Sequence, residues 1–167
     1  PQVQPHSAVT LHFDLKFEAV YQVPKNVFST KVGFRLFVDP EHPVTFYSPQ
    51  LSVVEAWLLV LSRRINQKGF HEMFKPLKKL GKGNFASVYE VERVTDKAKF
   101  AVKAFSKQSC FNGKNGKESL INELTIMRQL SQDWHGNLLR LEGVYESDNS
   151  IYVVLELLSG GQLFHRV

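Results

Sequence analysis

Two glycines, Gly81 and Gly83, stand directly before residues that read as β-strands. Segments 88–91 and 99–103 are rich in β-branched and aromatic residues, and the polar residues 95–97 supply a turn between them. In a dinucleotide-binding fold the glycines would open a helix, and a P-loop would require Gly-Lys-Ser/Thr, which the sequence does not contain. We therefore predict that the glycines lie in a strand–turn–strand hairpin. A hairpin turn alone would also favour glycine at these positions.

Composition limits the broad class of the protein. The 167 residues are 43% hydrophobic and 22% charged, which excludes a disordered tail, and the longest apolar run, 56–61, is too short to cross a bilayer. Lysine and arginine outnumber acidic residues by 21 to 16 but form no dense basic stripe, so nucleic acid is not an expected partner. The single cysteine, Cys110, excludes an intrachain disulfide. Because the sequence opens without a signal peptide, we predict a cytoplasmic protein.

The first 70 residues read as strands followed by one helix. Apolar and polar residues alternate strictly from 12 to 19, as in a half-buried antiparallel strand. Segments 32–38 and 44–47 are predicted as two further strands, and the proline-containing segment 39–43 as the turn between them.

The hydrophobic period then changes from two to between three and four, which predicts an amphipathic helix. Ser48 is predicted as its N-cap, Pro49 as a first-turn residue and Gly69 as its stop. We predict that Trp57 anchors the core from the apolar face of this helix. The residues of that face are Val54, Trp57, Leu58, Leu61 and Ile65.

Strands that lead into a C-terminal helix with a central tryptophan resemble the last part of a pleckstrin-homology (PH) domain. The likeness rests on GFRLFV, VTFYSP and VVEAWLLVL between Gly33 and Leu61. It implies that residues 1–69 are the C-terminal part of a PH-like domain with an incomplete antiparallel sheet. The loop with which this family binds membrane phosphoinositides has no counterpart in the chain. Membrane recruitment is therefore expected only through a complete PH domain.

The segments after the hairpin come in a characteristic order. A helical segment with Glu123 comes first, two apolar strands follow, and Gly-Gly-Gln-Leu-Phe ends the series; the segments are 120–127, 138–141, 152–158 and 160–164. Together with Ala-Val-Lys at 101–103, they resemble the small lobe of a eukaryotic protein kinase of the serine/threonine, calmodulin-dependent group. The resemblance implies an α+β fold for residues 70–167, with a five-stranded antiparallel sheet, one regulatory helix and the hinge. It also implies that the large lobe is missing.

The resemblance assigns the residues of an ATP site. Lys103 would hold the α- and β-phosphates and pair with Glu123, although either residue alone is commonly a solvated charge on a strand or a helix. The loop residues Gly81, Lys82, Gly83, Asn84, Phe85 and Ala86 would lie over the phosphates. The adenine and ribose would contact Leu80, Val88, Ala101, Leu155, the carbonyl of Glu156, the N–H of Leu158, and Gln162. Met127 and Leu141 fall on the hydrophobic spine of the family, where plain core packing predicts the same burial.

Four departures from the family pattern limit this interpretation. Ala86 replaces the third glycine, and His135-Gly136-Asn137 stands where many relatives have His-Pro-Asn. Gln162 replaces a glutamate that reads a basic residue in the substrate, so a preference for basic substrates is not predicted. The catalytic base and the Mg²⁺ ligands of the family follow the hinge and are not expected before Val167. We therefore expect the chain alone to be inactive and to bind ATP weakly.

In a longer parent protein, the resemblance implies transfer of the γ-phosphoryl group of Mg-ATP to Ser or Thr of a protein substrate. The alternative is a non-catalytic pseudokinase or scaffold that recruits partners. The glycine loop, Lys103 and Glu123 favour the active enzyme, and the sequence beyond Val167 would separate the two.

Overall fold

The computed structural model describes residues 20–22, 32–37, 42–112, 115–132 and 135–161. Of the predicted features, the strand at 12–19, most of the turn at 39–43 and Gln162 lie outside these residues. Within the described ranges the chain is a mixed α+β structure built around one nine-stranded sheet. None of the helices in those ranges is both long and apolar enough to span a membrane.

Where the structure describes the first part of the chain, that part forms four strands and one helix. The strands are β1 (Val20–Gln22), β2 (Val32–Phe37), β3 (Val44–Ser48) and β4 (Asn66–Gln67), and the helix is α1 (Leu51–Arg64). β2 pairs antiparallel with both β1 and β3, which confirms the strands predicted at 32–38 and 44–47. Phe34 and Leu36 of β2 pack against α1 in a small core.

The prediction that Trp57 anchors this core is wrong. Trp57 is 56% exposed, whereas Val54 and Leu61 of the same helix are buried against β2. At about 100° per residue, the buried positions of α1 cluster within roughly 60° around the helix axis, and Trp57 lies outside that arc. Further exposed apolar side chains lie on α1, so the sequence pattern does not distinguish its buried face sharply. They are Leu51, Val53, Leu59 and Val60.

The predicted ends of α1 are also corrected. The N-cap is Gln50, and Ser48 instead accepts a hydrogen bond from the backbone N–H of Gln50 at its Oγ (3.1 Å). Pro49 therefore precedes the helix. At the other end the chain turns extended at the fully buried Ile65, well before Gly69. Gly69, with φ of 87°, is the N-cap of the next short helix.

The described residues of the second part of the chain form five antiparallel strands and three helices. The elements are α2 (Phe70–Met73), β5 (Phe74–Lys82), β6 (Ala86–Arg93), β7 (Lys99–Ser106), α3 (Lys107–Asn112), α4 (Gly116–Gln132), β8 (Leu141–Glu146) and β9 (Ser150–Glu156). The strands β8, β9, β7, β6 and β5 lie side by side in that order, which confirms the predicted five-stranded antiparallel sheet.

Strand β8 lies further along the chain than the sequence predicts. The pair Leu138 and Leu139 suggests a strand at 138–141, but only Leu141 belongs to β8. Leu138 instead donates its backbone N–H to the carbonyl of His135 (2.8 Å), which closes a turn there. The strand continues to Glu146 because Val144 and Tyr145 are buried and pair with β9. Strand β9 likewise ends at Glu156 rather than at 158, and α3 was not predicted.

A single sheet crosses the domain boundary predicted near residue 70. β4 pairs in parallel with β1 on one side and with β8 on the other, where Gln67 is the partner of Tyr145. The strand order is therefore β3-β2-β1-β4-β8-β9-β7-β6-β5. The short connection across residues 65–74 is part of the core, since Ile65, Phe70 and Phe74 are buried.

Candidate functional site

The glycine-containing hairpin joins β5 to β6. Gly81 pairs with Val88 in the ladder, and the N–H of Gly83 donates to the carbonyl of Ala86 (2.8 Å) across the turn. The predicted strand–turn–strand arrangement is confirmed. Phe85 at the tip of the hairpin is largely exposed.

The fold itself does not require glycine at the two positions. Neither Gly81 nor Gly83 has positive φ, the backbone conformation that favours glycine. A Cβ atom built on Gly81 would meet no atom within 4 Å, and one on Gly83 would meet only the Ala86 carbonyl at 3.5 Å. A Cβ atom on Gly33, by contrast, would lie 2.1 Å from a carbonyl oxygen of β3. The hairpin therefore leaves open space beside its backbone, which a ligand that approaches the N–H groups can use.

An ion pair lies beside this hairpin. Nζ of Lys103, on β7, donates a hydrogen bond to Oε1 of Glu123, on α4, at a distance of 2.6 Å. Lys103 is the strand partner of Val88 in the hairpin, which fixes the ammonium close to the glycines. The two side chains are 33% and 30% exposed, so the pair is partly shielded and still open to solvent on one side. Because an ammonium has three donors, Lys103 keeps donors for a second, anionic partner.

The hairpin, β7 and the helices α3 and α4 line a partly open cavity of about 160 Å³. Cys110 of α3 lies in its wall, with Sγ 3.9 Å from the Phe85 carbonyl. Burial raises the pKa of the Cys110 thiol, and the negative charge of Glu123 raises it further. The lining residues are Gly83, Asn84, Phe85, Ala86, Lys103, Phe105, Cys110, Gly116, Ser119, Leu120 and Glu123.

Sequence reasoning missed the members of this wall that come from α3 and the start of α4. Cys110 lies in α3, a short helix that the sequence did not predict, and Gly116 and Ser119 lie in the first turn of α4, before the predicted helical segment 120–127. Gly116 is required sterically, since a Cβ atom there would lie 2.1 Å from the Cys110 carbonyl. No local motif marks this contact, because it joins two elements that pack only after folding.

The predicted adenine wall lies on the same face of the sheet as Lys103. Ala101 pairs with Leu155 across β7 and β9, and the buried Leu155 packs in the core cluster that reaches α4. Val88 shares this face as the partner of Lys103, whereas Leu80 lies at an irregularity in β5 and is exposed. Met127 and Leu141 pack against the same cluster.

The predicted hinge groups lie at the end of β9 and just beyond it. Glu156 is tied to Arg140, which donates its backbone N–H to Oε1 of Glu156 (2.8 Å) and accepts the Glu156 N–H at its carbonyl (3.0 Å). Leu158 is exposed beyond the strand. In the described part of the chain no three His, Cys, Asp or Glu side chains converge as a metal site would require, so the expectation of Mg²⁺ ligands after the hinge stays a prediction.

Residues 74–167, more than half of the chain, match the family model described as the protein kinase domain. The chain therefore belongs to the protein kinase family.

The relatives of the chain are named as serine/threonine and calcium-dependent kinases. It is 36% identical over 112 residues to calcium-dependent protein kinase SK5 of Glycine max, an alignment that covers 67% of this chain and 21% of that protein. It is 33% identical over 88 residues to serine/threonine-protein kinase H2 of Homo sapiens, covering 53% and 21%. It is 37% identical over 89 residues to calcium/calmodulin-dependent protein kinase type 1 of Caenorhabditis briggsae, covering 53% and 23%. The chain thus spans about a fifth of the length of these relatives.

Proposed function

We propose that this chain forms the ATP-binding part of a serine/threonine protein kinase. In the longer protein that contains it, the γ-phosphoryl group of Mg-ATP is transferred to Ser or Thr of a protein substrate. The observation that carries the proposal is the Lys103–Glu123 ion pair (2.6 Å) beside a hairpin whose glycines leave the backbone open to a ligand.

The proposed site combines three kinds of contact. Backbone N–H groups at the turn of the hairpin, between Gly81 and Ala86, donate hydrogen bonds to the phosphate oxygens, and Lys103 contributes a fixed positive charge. Glu123 holds that ammonium in place and so reduces the reorganisation needed when phosphate binds. Mg-ATP, when bound, would supply the phosphoryl group and a metal ion that neutralises its phosphates, and we expect the residues that hold this ion to follow the hinge. The adenine would lie against the face formed by Val88, Ala101 and Leu155 and would bond to the Glu156 carbonyl and the Leu158 N–H. Gln162 would contact the ribose.

The remaining assignments are proposals on the same footing. Residues 1–69 belong to a PH-like module, and residues 70–167 form the small lobe and hinge of the kinase domain. The protein acts in the cytoplasm, and a complete PH-like module would add recruitment to membrane phosphoinositides. The resemblance of segments 33–61 supports the PH-like assignment.

The test uses the complete kinase and a matched pair of lysine substitutions. Lys103→Met is expected to lower kcat/KM for peptide phosphorylation by about 10²–10³-fold, because a preorganised charge at the phosphates is lost. Lys99→Met removes a lysine from the same strand, one that pairs with Glu90 outside the site, and is expected to leave kcat/KM within about twofold of the unsubstituted enzyme. Thermal unfolding of both variants controls for folding.

The outcomes separate the proposed enzyme from its alternative. Equal activity of the Lys103→Met and Lys99→Met enzymes would refute the assigned site. A complete protein that binds ATP in a Lys103-dependent manner but transfers no phosphate to any Ser/Thr peptide would be a pseudokinase. A complete protein that does neither contradicts the proposal altogether.

A further inference from the structure

A buried amide connects the first part of the chain to helix α4. Asn66 of β4 is fully buried. Its Oδ1 accepts a hydrogen bond from a terminal guanidinium nitrogen of Arg128 on α4 (2.6 Å), and its Nδ2 donates to Oε2 of Glu146 on β8 (2.6 Å). Lys107, at the start of α3, donates to the other oxygen of Glu146 (2.6 Å). Four side chains from four elements therefore form one polar network at the predicted domain boundary.

Arg128 depends on this network. Burial lowers the pKa of Arg128 to about 10, and the negative charge of Glu146 acts in the opposite direction. Its Nε is buried and has no hydrogen-bond partner among the described residues. If the Asn66 carbonyl were lost, a second nitrogen of the buried Arg128 guanidinium would also lose its hydrogen-bond acceptor. Such a loss favours displacement of the side chain, and with it the helix, toward water.

Helix α4 is held from two sides. Glu123 bonds to Lys103 on β7, and Arg128 bonds to Asn66 on β4. The two α4 residues are five positions apart, which is about 7.5 Å along the axis and about 140° around it. Two other polar side chains of α4, Thr125 and Ser131, bond back to carbonyls of the helix itself and give no such tie. Since a helix of this length moves as a unit, its position at one tie affects its position at the other.

We propose that Asn66 is a positioning residue for the kinase site: through Arg128 it holds α4 where Glu123 reaches Lys103. The inference rests on the proposed function, because it assigns a regulator to the same site. The part of the chain before the kinase domain thereby becomes a determinant of activity. Anything that withdraws β4 from β8 also withdraws the support of the ion pair.

The kinetic test is a double-mutant cycle in the complete kinase. Asn66→Leu removes both amide bonds at nearly constant volume, and we expect kcat/KM to fall roughly 10–100-fold, as for a displacement of about 1 Å in a catalytic group. In a Glu123→Gln background the same substitution should cause no further loss, because the residue through which it acts is already disabled. Full multiplication of the two losses would overturn the proposal.

Arg128 and Tyr145 provide the matched variants. Arg128→Met should reproduce the effect of Asn66→Leu from the helix side, and Arg128→Lys, which keeps a donor, should restore part of the activity. Tyr145→Phe removes the hydroxyl that bonds Gln67, the neighbour of Asn66, and does not alter a contact of α4. It should lower the melting temperature and leave kcat/KM unchanged. If the junction served stability alone, Asn66→Leu would behave in the same way and would also leave kcat/KM unchanged.

A second measurement does not depend on catalysis. Hydrogen–deuterium exchange of α4 amides in the complete protein should rise in Asn66→Leu or Arg128→Met and stay unchanged in Tyr145→Phe. If the unsubstituted protein transfers no phosphate, the proposed function fails, whatever α4 does. If it is active and both Asn66→Leu and Arg128→Met keep its kcat/KM and its α4 exchange, this inference fails alone. If Asn66→Leu does not fold, the Arg128 variants decide the question.

Discussion

Gly81 lies in an extended hairpin where the protein makes no steric demand for glycine. Its φ is not positive, and a Cβ atom there would point into open space. Gly33 shows the opposite situation, because a Cβ atom would meet the carbonyl oxygen of Phe46 at 2.1 Å. Glycine at position 33 is therefore required by the packing of the fold, whereas glycine at position 81 leaves room for a ligand.

Substitution of Gly81 by alanine is expected to leave the free energy of unfolding unchanged or to raise it by up to about 1 kcal/mol, since alanine reduces the entropy of the unfolded chain. It should weaken ATP binding by about tenfold, or about 1.4 kcal/mol, because the methyl group enters the space beside the phosphates. Urea unfolding and isothermal titration with ATP measure the two quantities in the complete protein. Gly33→Ala is the control, with a loss of about 1–3 kcal/mol of stability and an unchanged ATP affinity of the folded fraction. Unaltered ATP binding by Gly81→Ala would contradict the site.

At the residue scale, sequence and structure agree best where motif order is informative. Lys103 and Glu123 are 20 positions apart, and only the ordered series of hairpin, Ala-Val-Lys and helix predicts that they meet. Asn66 and Cys110 carry no comparable signal. Asn66 is an ordinary polar residue in the sequence, and its burial depends on partners 62 and 80 positions away.

Helix α1 shows why a hydrophobic period predicts an element better than it predicts the orientation of that element. The helix is apolar around much of its circumference, so several faces compete for the core. Val54 is 4% exposed and Trp57 is 56% exposed, although they are only three residues apart. The side that is buried is set by Phe34 and Leu36 of β2, which the helical period does not encode.

Val54 and Trp57 should therefore respond to truncation in the reverse order of their size. Val54→Ala removes two methyl groups from the core and should lower the free energy of unfolding by about 2 kcal/mol. Trp57→Ala, on the exposed side, should change it by no more than about 0.5 kcal/mol. Urea denaturation followed by circular dichroism gives both values. A larger loss for Trp57→Ala would mean that the sequence-based assignment of Trp57 to the core was right after all.

At the scale of the whole molecule, the nine-stranded sheet joins the two parts of the chain into one structural unit. β4 pairs with strands of both parts, and the Asn66 network ties the first part to α3, α4 and β8. The sequence predicted two modules, residues 1–69 and 70–167. It did not predict a shared sheet, because β4 is two residues long and has no period to detect.

Shared strands imply that the two parts unfold together, and the single cysteine provides a measurement. Cys110 lies buried in the kinase part, far along the chain from Val54 in the first part. The labelling rate of Cys110 by a thiol reagent is measured at urea concentrations where global opening dominates. If unfolding is cooperative, Val54→Ala should raise this rate by about 30-fold, which corresponds to a loss of about 2 kcal/mol in the free energy of unfolding. Trp57→Ala is the matched control and should leave the labelling rate nearly unchanged. An unchanged labelling rate in Val54→Ala, with α1 shown by circular dichroism to be destabilised, would show that the parts open independently. The coupling proposed for Asn66 would then have to act through local contacts rather than through the stability of the sheet.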